Sequence, residues 1–240
     1  MRRPSGVQAG ETKRLLPVVK RRGADGSNAL QLTNLEGPRA GHPNWSPDGK
    51  QIVFHSNRGG DYHLFLVPSN GGPARRLTSA PEPMQAPRWS PDAKWVYFQC
   101  RQGGQDRLCR IPPAGGPVES IGPATDAPVY EPYPTTDRLC FAQGAGRVRK
   151  LCSVPLASPG TQVCLDLPML FSVFAVSVRG RYIVVQPSRN ASEIHFDGGD
   201  TTVCKMPYPV GPLALSPDGR HLLFSYLHMW TMDLFRLQLE

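Results

Sequence analysis

Apolar residues in this chain fall in short runs, each closed by a cluster of turn-forming residues. The clearest instance is Asn44-Trp45-Ser46-Pro47-Asp48-Gly49-Lys50-Gln51-Ile52-Val53-Phe54. The run Ile52-Val53-Phe54 is β-branched and aromatic, which suits a strand inside a packed sheet. The turn before it has a stated chemistry. Pro47 sets φ near −65°, Ser46 and Asp48 can bond nearby backbone groups, and Gly49 takes the left-handed conformation without steric cost. One Ser-Pro-Asp-Gly marks a turn in any fold; the information lies in its recurrence.

The turn proline or its counterpart falls at Pro47, Pro91, Pro134, Val178 and Pro217, so the repeat is roughly forty residues long. Counting from each of these positions, one buried column reads Ile52, Val96, Leu139, Ile183 and Leu222. A second reads Phe54, Phe98, Phe141, Val185 and Phe224. Neither column contains a polar residue. A repeat of this length built from several short strands predicts an all-β chain: a β-propeller of about five four-stranded blades.

Within the first copy, strand a ends at Trp45, strand b runs over 51–56, strand c over 63–67 and strand d over 74–78. The second copy repeats this order. The third replaces the turn with Tyr133-Pro134-Thr135-Thr136, and the fourth keeps a c–d hairpin through Asp197-Gly198-Gly199-Asp200. The fifth ends after strand c, one strand short. Residues 15–20 and 29–33 look like strands c and d of an earlier copy. The strand at 29–33 could complete the last blade by pairing with 233–239, giving a closed five-bladed ring. The alternative is a partial arc of a larger propeller.

Composition supports the all-β reading. Pro at 26 and Gly at 24 of 240 residues oppose long helices. No apolar run approaches the ~20 residues of a membrane-spanning helix, and no signal peptide is visible at the N-terminus. The net charge of +8 is concentrated: residues 1–24 hold seven basic side chains against Glu11, which leaves +2 on residues 25–240. Residues 1–24 therefore read as a basic, disordered tail and 25–240 as the propeller repeats. No direct nucleic-acid binding is expected of the near-neutral body.

There is no Gly-x-Ser-x-Gly elbow, no phosphate-cradling Gly-x-x-x-x-Gly-Lys-Ser/Thr and no His-Glu-x-x-His. His55 and His63 read as a polar pair facing each other across the first b–c hairpin rather than as metal ligands. Asp197 and Asp200 read as an ordinary hairpin. No catalytic, metal or cofactor site is expected. Of the six cysteines, Cys100 with Cys109 and Cys140 with Cys152 straddle hairpin tips, where cross-strand disulfides are conceivable. Free cysteines acting as small buried hydrophobes are the alternative.

The residues Trp45-Ser46-Pro47-Asp48-Gly49-Lys50-Gln51-Ile52-Val53-Phe54, with the trailing Arg75-Arg76-Leu77-Thr78, resemble the TolB-type, WD-like β-propeller repeat. More narrowly, 25–240 resembles the C-terminal propeller region of some bacterial winged-helix regulators. That resemblance implies a non-enzymatic sensor or protein-interaction module, binding a protein or peptide. The alternative is a truncated remnant of a larger propeller-containing regulator or peptidase, without independent activity. The chain as it stands points to the cytoplasm, the relatives to the periplasmic side. Partner contacts are expected on the face built by the b–c and d–a loops, which would carry Arg58, Asp61, Arg101, Gln105, Arg147 and Arg189. Met229 and Trp230, in the last b–c loop, stand where other copies have polar tips and are expected to form a contact hot spot or to fold back over the blade.

Overall fold

In the computed structural model the described residues are 20–21, 30–32, 40–79, 81–125, 129–144, 150–158, 160–165, 173–176, 182–187, 192–196, 202–206, 210–215, 221–228 and 231–238. All the regular structure among them is β. A short pair, β1 (Lys20–Arg21) and β2 (Leu30–Gln31), precedes the repeats. The first blade is β3 (Ala40–Trp45), β4 (Gln51–Ser56), β5 (His63–Pro68) and β6 (Arg75–Arg76). The second is β7 (Met84–Trp89), β8 (Val96–Gln102), β9 (Gln105–Ile111) and β10 (Glu119–Thr125). The third is β11 (Val129–Pro134), β12 (Arg138–Gln143), β13 (Lys150–Pro155) and β14 (Val163–Leu165). The fourth is β15 (Val173–Val176), β16 (Tyr182–Pro187), β17 (Ser192–Phe196) and β18 (Thr202–Met206). The fifth is β19 (Val210–Leu215), β20 (His221–His228) and β21 (Thr231–Gln238).

Among the described residues every blade is an antiparallel meander with sequential strands adjacent, with four strands in each of the first four blades and three in the last. Among the described residues β21 pairs with β20, and Leu30–Gln31 pairs with Lys20–Arg21. The N-terminal half-copy thus forms the c–d arrangement expected of it, and no pairing of residues 29–33 with the last strand is seen there.

The turn chemistry holds in detail. The Ser46 hydroxyl donates to Asp48 Oδ1 at 2.6 Å and accepts the Gln51 N–H at 2.9 Å, while Gly49 sits at φ 70°. Ser90, Asp92 and the Trp95 N–H repeat this at 2.6 and 2.9 Å, with Ala93 taking the glycine's place at φ 60°. In the third blade the expected alignment is corrected by two residues. Pro134 pairs with Leu139 as Trp45 pairs with Ile52, so it ends strand a instead of leading the turn. Thr135 does the work of Ser46: its Oγ1 accepts the Arg138 N–H at 3.0 Å. In the first three blades the column residues are buried as expected, because the two-residue deletion lies inside the turn, between the counted strands.

A feature not foreseen from the motif lies on the innermost strands. Four of the five strand-a ladders shift register, at 41/44, 85/88, 130/133 and 210/213. Each shift brackets a proline: Pro43, Pro87, Pro132 and Pro212. Proline offers no N–H to the ladder, so the strand bulges there. β15 has no proline within it and pairs without a shift. His42 and Ala86, at corresponding places in the first two bulges, both sit at φ 50°.

The core is built between blades. Val53, Leu64 and Leu66 of the first blade are buried in one cluster with Met84, Trp89, Val96 and Phe98 of the second. Tyr97, Leu108 and Ile121 of the second are buried with Leu139, Phe141 and Val154 of the third. Polar links cross the same seams: the Trp89 N–H donates to Asn44 Oδ1 at 2.9 Å, and Arg88 Nη2 donates to the Tyr133 hydroxyl at 3.0 Å. Neighbouring blades therefore share buried apolar surface, as stacked repeats do.

Candidate functional site

The b–c tips of the first two blades carry four of the residues expected to meet a partner. Arg58, Asp61 and Arg101 are exposed and Gln105 is half-buried. The other four, Arg147, Arg189, Met229 and Trp230, lie outside the described residues.

The first tip is a turn closed by the Gly60 N–H on the Asn57 carbonyl at 3.1 Å, with the Arg58 N–H on Ser56 Oγ at 3.3 Å. The second is a two-residue hairpin, with Gln102 paired to Gln105 across Gly103 and Gly104. Both glycines have positive φ, 60° and 81°, the sign that both central positions of a tight hairpin turn of this type require. Three bonds hold this tip. Arg101 Nε donates to the Gly104 carbonyl at 3.0 Å, the Gly103 N–H donates to Glu82 Oε1 at 3.0 Å, and Ser120 Oγ donates to Gln102 Oε1 at 2.8 Å. Arg101 is thus tied at Nε. Beside it, Pro83, Gln85, Gln99, Cys100 and Asp106 line a hollow of about 180 Å³.

Cys100 is bonded to Cys109, with Cα atoms 5.9 Å apart. Cys100 pairs with Arg107 and Cys109 with Phe98, an offset of two that leaves both side chains on one face. The pairing conceived for Cys140 and Cys152 does not form. Cys140 pairs with Ser153 and Cys152 with Phe141, so a one-position offset turns their side chains to opposite faces. Cys152 instead lies directly across from Cys164 and is bonded to it, at a Cα separation of 4.0 Å. Cys140 is free, and burial pushes its thiol up to about 11.

The same offset argument corrects the histidines. His63 pairs with Ser56 while His55 pairs with Leu64, so the two do not face each other. The His55 ring is buried and lies 4.8 Å from the His42 ring and 5.0 Å from the Tyr62 ring. Its Nδ1 accepts the Ala86 N–H from the second blade at 3.2 Å, which assigns the ring proton to Nε2. Burial, with His42 nearby, lowers its pKa to about 4. His63 is also buried and held below its ordinary value, by burial first and Arg76 second, with Asp61 opposing. Its Nδ1 has no hydrogen-bond partner among the described residues. No group of three or more His, Cys, Asp and Glu side chains gathers as a metal site among the described residues. Sequence reasoning missed the His55 to Ala86 link; the repeated strand-a prolines, which mark the bulges, were the signal that could have found it.

Comparison with known proteins agrees with this fold. Residues 23–163 match the family described as the TolB beta propeller domain. A stretch of 44 residues, 18% of this chain, is 46% identical to the uncharacterized peptidase YuxL of Bacillus subtilis (strain 168), and amounts to 7% of that protein. The crystal structure of TolB from Acinetobacter baumannii superposes with a TM-score of 0.74 at 17% identity, over 92% of this chain and 57% of that one. A structure from work on two prolyl endopeptidases superposes at 0.61 and 14% identity, over 91% of this chain and 38% of the other. This chain therefore spans well under two thirds of each of these proteins, and the structural likenesses are ones of fold. With more than half of its length matched by the family, the chain belongs to the TolB beta propeller domain family.

Proposed function

We propose that this chain is a non-catalytic binding module that holds a peptide segment of a protein partner on the face of its b–c tips. The observation that carries this reading is the second tip. Arg101 stands exposed beside a hollow walled by Gln85, Gln99 and Asp106, and both its tip and the disulfide beneath it are fixed. Fixed donors and acceptors beside a shallow hollow lose little conformational freedom on binding an extended peptide. Arg58 and Asp61 at the neighbouring tip extend the same surface with one charge of each sign.

The test is selection from a displayed peptide library. Enriched peptides should bind the folded chain and lose at least tenfold in affinity to Arg101→Ala and Arg58→Ala variants. Enriched peptides whose affinity neither variant changes would place the partner elsewhere.

A second reading is that the chain is the propeller part of a larger peptidase or regulator and has no activity by itself. The 46% identity to a stretch of a peptidase supports it. Reading the coding sequence on either side decides between them. An in-frame hydrolase or winged-helix segment would favour this second reading, and stop codons bounding the chain would count against it.

A further inference from the structure

Between the second and third blades the repeat departs from its own pattern at three places that meet in space. Cross-strand pairing puts Trp89 opposite Val96 and, one repeat later, Pro134 opposite Leu139, so a proline stands where the indole stood. The wall facing that place changes too. Val53 pairs with Leu66 in the first blade, and their counterparts in the second are Tyr97 and Arg110. The a–b turn is also shorter, closing from Thr135 to Arg138 where the second blade closes from Ser90 to Trp95. Trp89 is buried in one cluster with Val53 and Leu66. At the corresponding seam one blade later there is a cleft of about 540 Å³, within the ~300–1,000 Å³ of small-molecule sites.

Its lining is built rather than left over. The Arg110 guanidinium lies 4.1 Å above the Trp95 ring and its Nε donates to Glu119 Oε2 at 2.8 Å. The buried Tyr97 lines the cleft with it, and burial raises the phenol pKa and keeps it protonated. At the mouth, Asp92 and Asp137 approach from the two blades, each with Oδ1 within reach of the hydroxyl of its own turn, at 2.6 and 3.1 Å. Asp92 Oδ2 lies 3.7 Å from Lys94 Nζ. Leu156 and Ala157 give the cleft an apolar side.

The charges that line the cleft cancel: Lys94 and Arg110 against Asp92 and Asp137. Such a site selects no ion, yet it offers strong donors and acceptors in fixed positions next to apolar surface. A sugar ring has the matching character, with C–H faces that pack on apolar groups and a rim of hydroxyls that both donate and accept. We propose that this cleft binds an uncharged carbohydrate of one or two rings. The cleft lies at the a–b turn end of the strands, away from the b–c tips, so its test leaves the peptide-binding reading untouched.

Saturation-transfer NMR on the whole chain would use maltose, cellobiose and N,N′-diacetylchitobiose as neutral probes, digalacturonate as an anionic one and trialanine as a peptide. At least one neutral disaccharide should receive transfer. Its Kd should rise at least tenfold in Asp137→Ala and Thr136→Ala, both on exposed side chains, and in Pro134→Trp, which restores the indole. Should Pro134→Trp fail to fold, the two rim variants still decide. No transfer to any neutral disaccharide, stronger binding of digalacturonate or trialanine, or unchanged affinity in the rim variants would overturn the proposal.

Discussion

The Nε2 atom of His55 lies 2.9 Å from the point a β-carbon on residue 41 would occupy, so Gly41 is where the chain makes room for a buried imidazole. The ring cannot step aside freely. It is buried, flanked by His42 and Tyr62, and bonded through Nδ1 to Ala86 of the next blade. Gly41→Ala should therefore destabilise the fold by about 1–3 kcal/mol, as overpacking does. Urea unfolding checks this, and the cost should shrink markedly in a His55→Ala background. Equal cost in both backgrounds would mean the two residues are not coupled.

His55 also sets a pH dependence. Its pKa is about 4 in the folded chain against 6.5 for the free side chain, so the unfolded chain binds more protons between those values. Stability is then fully present above pH 6.5 and falls as pH drops toward 4. A shift of this size corresponds to roughly 3 kcal/mol at most. The lowered pKa of His63 acts in the same direction. Urea midpoints measured across this range should slope upward with pH, and His55→Gln should flatten most of the slope.

Thr135 and Thr136 make a matched pair. The Thr135 hydroxyl is buried, accepts the Arg138 N–H and lies within hydrogen-bond distance of Asp137, whereas Thr136 is exposed. Removing the first should leave a backbone donor unpaired and cost about 1–3 kcal/mol. Removing the second should stay within about 0.5 kcal/mol. Thermal unfolding of the two alanine variants separates them.

The disulfides join residues nine and twelve apart in sequence. Loop-closure entropy puts the stabilisation from each at about 2–3 kcal/mol. Cys100→Ser with Cys109→Ser, and separately Cys152→Ser with Cys164→Ser, should lower the urea midpoint accordingly. Cys140, with its thiol raised to about 11, should alkylate slowly at pH 8 in the folded chain and quickly once unfolded. Fast labelling of Cys140 under native conditions would contradict its raised thiol pKa.

Strand identity, blade order and, in the first three blades, the buried columns were legible in the amino-acid order, because each depends on neighbours a few residues away. Ser46, Asp48 and Gly49 build their turn from their own side chains and backbone. The apolar run Ile52-Val53-Phe54 needs no partner to be read as a strand. What the order alone could not decide is how one strand sits against another. A register offset of one separates Cys140 from Cys152, and an offset of two unites Cys100 with Cys109.

The same limit appears between blades. Trp45 and Trp89 occupy the same place in the same motif, yet one is 46% exposed and the other 7%, the latter buried against Val53 and Leu66. His55 finds its partner 31 residues away, and Trp89 finds Asn44 at 45. The sequence by itself determined the unit and its repetition, since turn chemistry and the short apolar run that follows it are local. Only the tertiary structure decided which faces meet, which cysteines join and where a cleft lies between the second and third blades. Those outcomes rest on register and on packing between blades, which short-range order does not encode.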